Sequence, residues 1–154
     1  MLDEGLDLLV GLLGGKPVTH RGVHYRAEGV ALRPAPVQSP RVPVWVGGST
    51  QAKAVLRRAA RADGIVPYKL TDTEGWSDFT PDEVAELVAA LPARRADGQA
   101  FDVALGGRRR RPDERAERAY LAQVTQAGAT WWLEYVPAAD PAAMRAAVLR
   151  GPLR

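Results

Sequence analysis

The sequence predicts an α/β protein built on a parallel sheet with helices packed outside it. Three observations carry this. Short apolar runs, "VPVWVGG", "DGIVPY", "FDVALGG" and "TWWLEYV", recur between residues 42 and 136. They are rich in β-branched and aromatic residues, as strands buried on both faces are. A stretch with helical periodicity or helix-start signals follows each run. Strands alternating with helices at this spacing argue for parallel pairing, because each crossover needs a helix to return the chain.

The elements are justified in order. Leu2, Leu6, Leu9, Val10 and Leu13 recur at helical spacing and Gly14-Gly15 follows, so residues 2–13 read as an amphipathic helix. Pro17, Pro34, Pro36, Pro40 and Pro43 forbid a helix through the next stretch. Residues 16–41 therefore read as an extended connector, with a short strand near His24–Ala27. "VPVWVGG" is the first strand of the regular part, and "STQAKAVLRRAARA" is its helix, capped by Ser49 or Thr50. "DGIVPY" is the second strand. In "TPDEVAELVAALPARR", Thr80 caps, Pro81 takes the first helical position, and Glu83 completes a capping box. "FDVALGG" is the third strand. "PDERAERAYLAQVTQAG" is a helix with Ala116, Tyr120, Val124 and Ala127 on one face, ending at Gly128. "TWWLEYV" is the fourth strand, placing Trp131 and Trp132 on opposite faces. Asp140 and Pro141 start a last helix, "DPAAMRAAVLR". Residues 1–154 thus read as one domain, with helix and connector over 1–41 and four βα units over 42–154.

Composition narrows the function classes. The 154 residues are 46% hydrophobic and 25% charged, the balance of an ordinary globular domain. The net charge of +3 comes from an arginine-rich composition with no aromatic platform beside its basic run, so no nucleic-acid partner is expected. There is no cysteine, which excludes disulfides, thiolate catalysis and zinc–thiolate sites. No apolar run reaches the length of a membrane span, and the acidic "MLDEGLDLLVGLLGG" is unlike a signal peptide. A cytoplasmic protein with no membrane partner is the expectation. His20 and His24 stand four apart, but Gly22 and the extended context argue against a helical metal pair, and no metal is expected.

Ligands of parallel α/β sheets sit at the carboxyl ends of the strands. The first such end, "VGGST", is the most informative. Glycines let a ligand approach the backbone, and the N–H groups opening the next helix suit a phosphate. Gly47, Gly48, Ser49 and Thr50 are the candidate anion site. A tight strand-to-helix turn capped by Ser49 fits the same residues, and the spacing leaves both open. After the third strand, Arg108–Arg111 reads either as a solvated loop or as an anion clamp, with Arg108 and Arg109 as its candidates. Glu134 lies near the fourth strand end and shares a face with Trp132.

The stretch "RPAPVQSPRVPVWVGGSTQAKAVLRRAARADGIVP" resembles the luciferase-like monooxygenase family of flavin- and F420-dependent oxidoreductases. The likeness lies in the "P-x-P-V-Q-x-P" connector at Pro34–Pro40, the "P-V-W-V-G-G" strand at Pro43–Gly48, and the "R-R-A-A-R-x-A-D-G" helix end. The upstream "GKPVTHRGVHYR" resembles the family's "G-x-P-V-x-x-x-G-x-x-Y". The likeness is specific from about Leu2 to Pro67. It implies a (β/α)8 TIM barrel of which this chain is the C-terminal half: one helix and connector, then four βα units with parallel strands. It further implies a cofactor, FMN or F420, whose phosphate lies against Gly47–Thr50, and a small-molecule substrate. Catalytic residues are not assigned, since strands one to four of such a barrel have no counterpart here.

Two readings of function follow. One is a luciferase-like flavin- or F420-dependent oxidoreductase or monooxygenase, or a fragment of one. The other is a non-catalytic half-barrel, a relic or association module without turnover. Four strands leave two open edges, near "VPVWVGG" and "TWWLEYV", so a homo-oligomer or a complementary half-barrel is the expected partner. Val44, Val46, Ile65, Val103, Leu105, Leu133 and Tyr135 are candidates for the inward face, without the pattern fixing which alternate residues point inward.

Overall fold

The computed structural model describes residues 1–69, 77–91, 100–136, 138 and 140–153. The chain divides into two compact units, Met1–Val44 and Trp45–Arg154.

The first unit holds helix α1 (Leu2–Leu13) and an antiparallel hairpin of β1 (Val18–Arg21) and β2 (Arg26–Val30). The sequence pattern placed a single strand over His24–Ala27. In the structure His24 and Tyr25 belong to the turn of the hairpin, and strands flank it. Glu4 of α1 explains why. Its carboxylate accepts from the backbone N–H of His24 at 3.1 Å and of Tyr25 at 2.9 Å, and lies 3.1 Å from the His20 ring. A Cβ built on Gly22 would overlap this carboxylate, so only glycine lets the helix hold the turn. Burial pushes the Glu4 carboxyl up, but the Tyr25 N–H, the His20 ring and the His24 N–H outweigh it and pull it down to about 2.

The second unit runs β3 (Trp45–Ser49), α2 (Lys53–Ala59), β4 (Gly64–Tyr68), α3 (Pro81–Ala90), β5 (Asp102–Arg108), α4 (Glu114–Gln126), β6 (Trp131–Glu134) and α5 (Pro141–Leu149). The strands form one sheet in the order β3-β4-β5-β6, every pair parallel. The four strands predicted for this unit are all present, and the architecture is compatible with half of a (β/α)8 barrel. Side chains cap three of these helices, Thr80 and Asp140 as expected. The Thr80 hydroxyl accepts from the Glu83 N–H at 3.2 Å while the Glu83 carboxylate accepts from the Thr80 N–H at 2.7 Å. Asp113 accepts from the Ala116 N–H, and Asp140 from the Ala142 and Ala143 N–H groups, each at 3.0 Å. The predicted extension of the third helix through residues 92–95 lies outside the described residues.

The core sits between the sheet and its helices. Ile65, Val103 and Leu105 on the strands pack with Ala59, Val84, Leu87 and Val124 on α2, α3 and α4. Alternation along the strands then assigns the two faces. Val46, Ile65, Val103 and Leu105 face the helices, whereas Leu133 and Tyr135 face the other way and stay 37% and 52% exposed. Six of the seven candidates for the inward face are thus split between both faces, and Val44 lies outside the sheet, in the first unit. Trp132 packs on the helix side, and Trp131 lies on the open side, 53% exposed.

On that open side the indoles of the two outer strands meet. Trp45 and Trp131 have ring centroids 5.6 Å apart at an interplanar angle of 58°. The inner strands make room with small residues, Gly64 beside Trp45 and Ala104 beside Trp131. A Cβ on Gly64 would stand 2.6 Å from Trp45 Cδ1 and 2.7 Å from the Asp102 carbonyl oxygen. The Trp131 Nε1–H donates to Asp102 at 3.0 Å. Among the described residues, no helix is long and apolar enough to cross a membrane.

Candidate functional site

The carboxyl ends of the strands bring Ser49, Tyr68, Arg108 and Glu134 to one end of the sheet. Ser49 is paired with Tyr68, and Arg108 with Glu134. The two glycines of "VGGST" turn out to do different things. Gly47 is exposed on the open face, and a Cβ built there would meet nothing closer than the Val66 carbonyl oxygen at 3.9 Å. Gly48 is buried on the opposite face, where a Cβ would stand 2.5 Å from Val55 Cγ2. Gly48 lets α2 lie directly on β3; Gly47 leaves backbone open to an approaching group.

The turn that follows is longer than expected. Neither Ser49 nor Thr50 caps α2, which starts at Lys53 with Ala52 as its cap and no side-chain cap bond. Instead the Ser49 hydroxyl accepts from the Gln51 N–H at 3.3 Å, and the Ser49 carbonyl accepts from the Ala52 N–H at 3.1 Å. The Thr50 N–H donates to the Tyr68 carbonyl at 3.3 Å. A serine that turns the chain back on itself within two residues is a local alternative to helix capping. The first helical amides, Lys53 and Ala54, lack an earlier carbonyl within the helix. The turn therefore offers Gly47 backbone and two hydroxyls, ahead of a seven-residue helix that starts two or three residues later than a Thr50 or Ser49 cap would place it.

The end of β5 carries the arginine run, and here a β-bulge decides the geometry. Gly106 and Gly107 have φ of 114° and 94°, and pairing with β6 skips from Gly106 to Arg108. The extra residue reverses the alternation, so Arg108 points into the helix layer and not onto the open face. Its Nε–H donates to Asp78 at 2.8 Å, Nη1 to Glu117 at 2.8 Å and to the Arg109 carbonyl at 2.8 Å, and Nη2 to Glu117 at 2.9 Å. The guanidinium stacks 4.8 Å from the Trp132 ring centroid. Glu117, on α4, has a fully buried side chain. Burial works against the Arg108 charge, but Glu117 and Asp78 outweigh it and hold its pKa above the ordinary value. Arg111 joins from the other side, 2.5 Å from Asp78 and 4.8 Å from the Tyr120 ring. Burial and then the Asp78 charge push the Tyr120 hydroxyl up to about 12, and its O–H donates to the Phe79 carbonyl at 3.0 Å.

Arg110 is tied inward as well, donating to Glu134 at 2.7 Å and to the Gly151 carbonyl at 2.6 Å. Glu134 therefore meets an internal cation on the helix side. Arg108, with four of its five N–H groups engaged, has little capacity for an outside anion; Arg109 is exposed and, among the described residues, has no ion-pair partner. Those four bonds make Arg108 a brace between strand, helix and the segment before α3.

Lys69, directly after β4, went unremarked in the sequence. Its Nζ lies 2.8 and 2.6 Å from the two Glu83 oxygens and 5.3 Å from the centre of the Phe79 ring. It lines a cavity of about 290 Å³ with Thr50, Gln51, Leu56 and Leu87, between the β3–α2 turn and α3. A lysine just past a strand end was the signal. In the first unit, His20 and the His24 backbone both serve Glu4. No group of metal-binding side chains occurs among the described residues.

The family profile of luciferase-like monooxygenases matches residues 1–150. The chain belongs to this family. Similar proteins include uncharacterized proteins of Mycobacterium bovis and of two Mycobacterium tuberculosis strains, each 35% identical over 96 residues. That match spans 62% of this chain and 29% of each relative's length. Luciferase-like proteins form an oxidoreductase family that generally uses flavin or F420, and the matched region contains the open Gly47 turn.

Proposed function

We propose that this chain is the C-terminal half of a luciferase-like (β/α)8 barrel and that it receives the phosphate of FMN or F420 at the β3–α2 turn. The observation that carries the reading is the bare Gly47 backbone on the open face, at the ligand end of a parallel sheet. Gly47 gives the approach, and Ser49 and Thr50 give hydroxyl donors. Gly48 acts one step back, by seating α2 so that the turn stays in place. Arg109, exposed at the end of β5, is the cation available to an anionic substrate or cofactor tail. When bound, the flavin or deazaflavin supplies the hydride or electron transfer, and this chain's residues hold its phosphate end. The substrate is a small molecule received by the assembled barrel.

Titrating the purified chain with FMN and separately with F420 tests this. Saturable binding is expected, and Gly47→Val is expected to weaken it about ten-fold or more, roughly the loss of one good hydrogen-bonded approach. Equal affinity in the wild type and Gly47→Val would remove the turn from the site. The second reading, an association module without turnover, is favoured by one observation, the exposed apolar residues of β6 on the open face.

A further inference from the structure

We propose that the end of β5 is a second oxyanion site, separate from the β3–α2 turn, where the Gly107 backbone and the Arg109 guanidinium receive a carboxylate or phosphate of the bound molecule. The proposal rests on the reading above for one point, that this end of the sheet is the ligand end. The ends of β3 and β5 both carry Gly-Gly, and in each pair one glycine packs while the other stays bare. On β3 the packing glycine is Gly48 and the bare one is Gly47. On β5 a Cβ built on Gly106 would overlap the Leu133 carbonyl, so Gly106 lets β6 pair closely. Gly107 is exposed, and the pairing with β6 passes over it, from Gly106 to Arg108. The residue that a bulge adds stays out of the ladder, so its N–H and carbonyl are not spent on the neighbouring strand. Its φ of 94° is one that residues with a side chain rarely adopt, which keeps this backbone uncovered. Two strand spacings, roughly 10 Å, separate β3 from β5, so the two bare glycines can serve separate groups.

Charge singles out Arg109. The cations beside it each face a carboxylate: Lys69 faces Glu83, Arg108 faces Asp78 and Glu117, Arg110 faces Glu134, and Arg111 faces Asp78. Arg109 is exposed and, among the described residues, has no ion-pair partner. Its backbone is nonetheless held, because Arg108 Nη1 donates to the Arg109 carbonyl at 2.8 Å. Arg108 and Arg110 are both drawn to the helix side, and in an extended chain the residue between them leaves toward the opposite side. A guanidinium there presents a planar fork of donors to a carboxylate or phosphate, a charge-assisted pairing roughly twice as strong as a neutral one. Arg108 and Arg111 cancel Asp78 and Glu117, and Arg110 cancels Glu134, so an incoming anion meets no uncompensated carboxylate among these pairs.

Inorganic phosphate titrated into the isotope-labelled chain at constant ionic strength, followed by two-dimensional NMR, reads the two sites separately. Saturable shifts are expected at the Gly107 and Arg109 amides and at the Arg109 Nε–H, with a dissociation constant on the order of a millimolar. Arg109→Gln is expected to weaken the Gly107 response about ten-fold and to leave the shifts at Gly47–Thr50 as in the wild type. Arg109 is exposed, so the variant should keep the wild-type spectrum elsewhere. No saturable response at Gly107, or an undiminished one in Arg109→Gln, overturns the proposal. A response at Gly107 with none at Gly47–Thr50 would instead sink the cofactor phosphate at the turn and leave this site standing. FMN and F420, each added to the phosphate-loaded chain, then tell the source of the anion. FMN is expected to displace phosphate from Gly47–Thr50 and to leave Gly107 occupied; FMN that clears both overturns their separateness. F420 that also clears Gly107 assigns the site to a carboxylate of the cofactor tail, and F420 that leaves it occupied assigns it to the substrate.

Discussion

Replacing Arg108 by alanine tests whether the arginine run is a brace. The substitution removes the bidentate partner of Glu117, whose side chain is fully buried, together with the Nε–H bond to Asp78 and the stack on Trp132. Breaking a buried pair by deleting one member costs about 3–5 kcal/mol, because the other charge is left uncompensated. Two features place Arg108→Ala near 3 kcal/mol. Arg108 is itself 24% exposed, and the Arg111 Nε remains 3.7 Å from Glu117. Against a typical domain stability of about 5–15 kcal/mol this is a large fraction. The control is Arg108→Met with Glu117→Leu, which removes both charges and keeps apolar volume. It should recover most of the loss, since a buried pair is roughly matched by packed hydrophobic residues. Urea unfolding followed by circular dichroism gives both values. A loss under about 1 kcal/mol for Arg108→Ala, or a double variant no better than the single one, would refute the brace.

Three further outcomes follow from the geometry. The Glu4 carboxyl, held at about 2 in the folded state against 4.5 ordinarily, stabilises the hairpin above pH 4.5 and loses that effect as the pH falls toward 2; Glu4→Gln should flatten this acid dependence in hairpin amide exchange, and an unchanged profile would count against the anchor. Gly48→Val should destabilise the fold by roughly 1–3 kcal/mol through overpacking against Val55, whereas Gly47→Val should leave the unfolding midpoint near that of the wild type; equal losses at both would contradict the two-face assignment. The isolated chain with reduced FMN or F420 should show no sustained turnover, checked by following cofactor oxidation by dissolved oxygen against a protein-free control; a steady rate above that control would show that the four strands suffice.

The βα alternation was legible because each strand is a compact apolar run with a cap or glycine at its border, and Thr80 and Asp140 cap as their positions suggest. What sequence periodicity missed was set by single-residue insertions and by partners far along the chain. Gly107 adds one residue to β5, so counting by twos sends Arg108 to the wrong face, and the four-arginine run then looks like a free clamp. Ser49 satisfies its own turn before α2 begins, which no cap rule distinguishes from capping the helix. Gly48 looked like part of a ligand cradle because a bare backbone is equally what a closely packed helix requires. The hairpin over Val18–Val30 was hidden because it depends on Glu4, sixteen or more residues away. The candidate turn itself was visible from its glycines, and its neighbour Lys69 became visible only when Thr50 and Lys69 were seen lining one cavity.

The meeting of Trp45 and Trp131 makes the sheet's bend optically audible. Strands three places apart in a flat sheet stand roughly 14 Å from each other, well beyond the separation of these two rings. Their rings, 5.6 Å apart and inclined at 58°, form a pair of coupled transition dipoles in a chiral arrangement. Such a pair gives a signed exciton doublet in circular dichroism, and its amplitude falls steeply with separation. The doublet is a built-in gauge of curvature: flattening or fraying of either outer strand dims it before the helices melt.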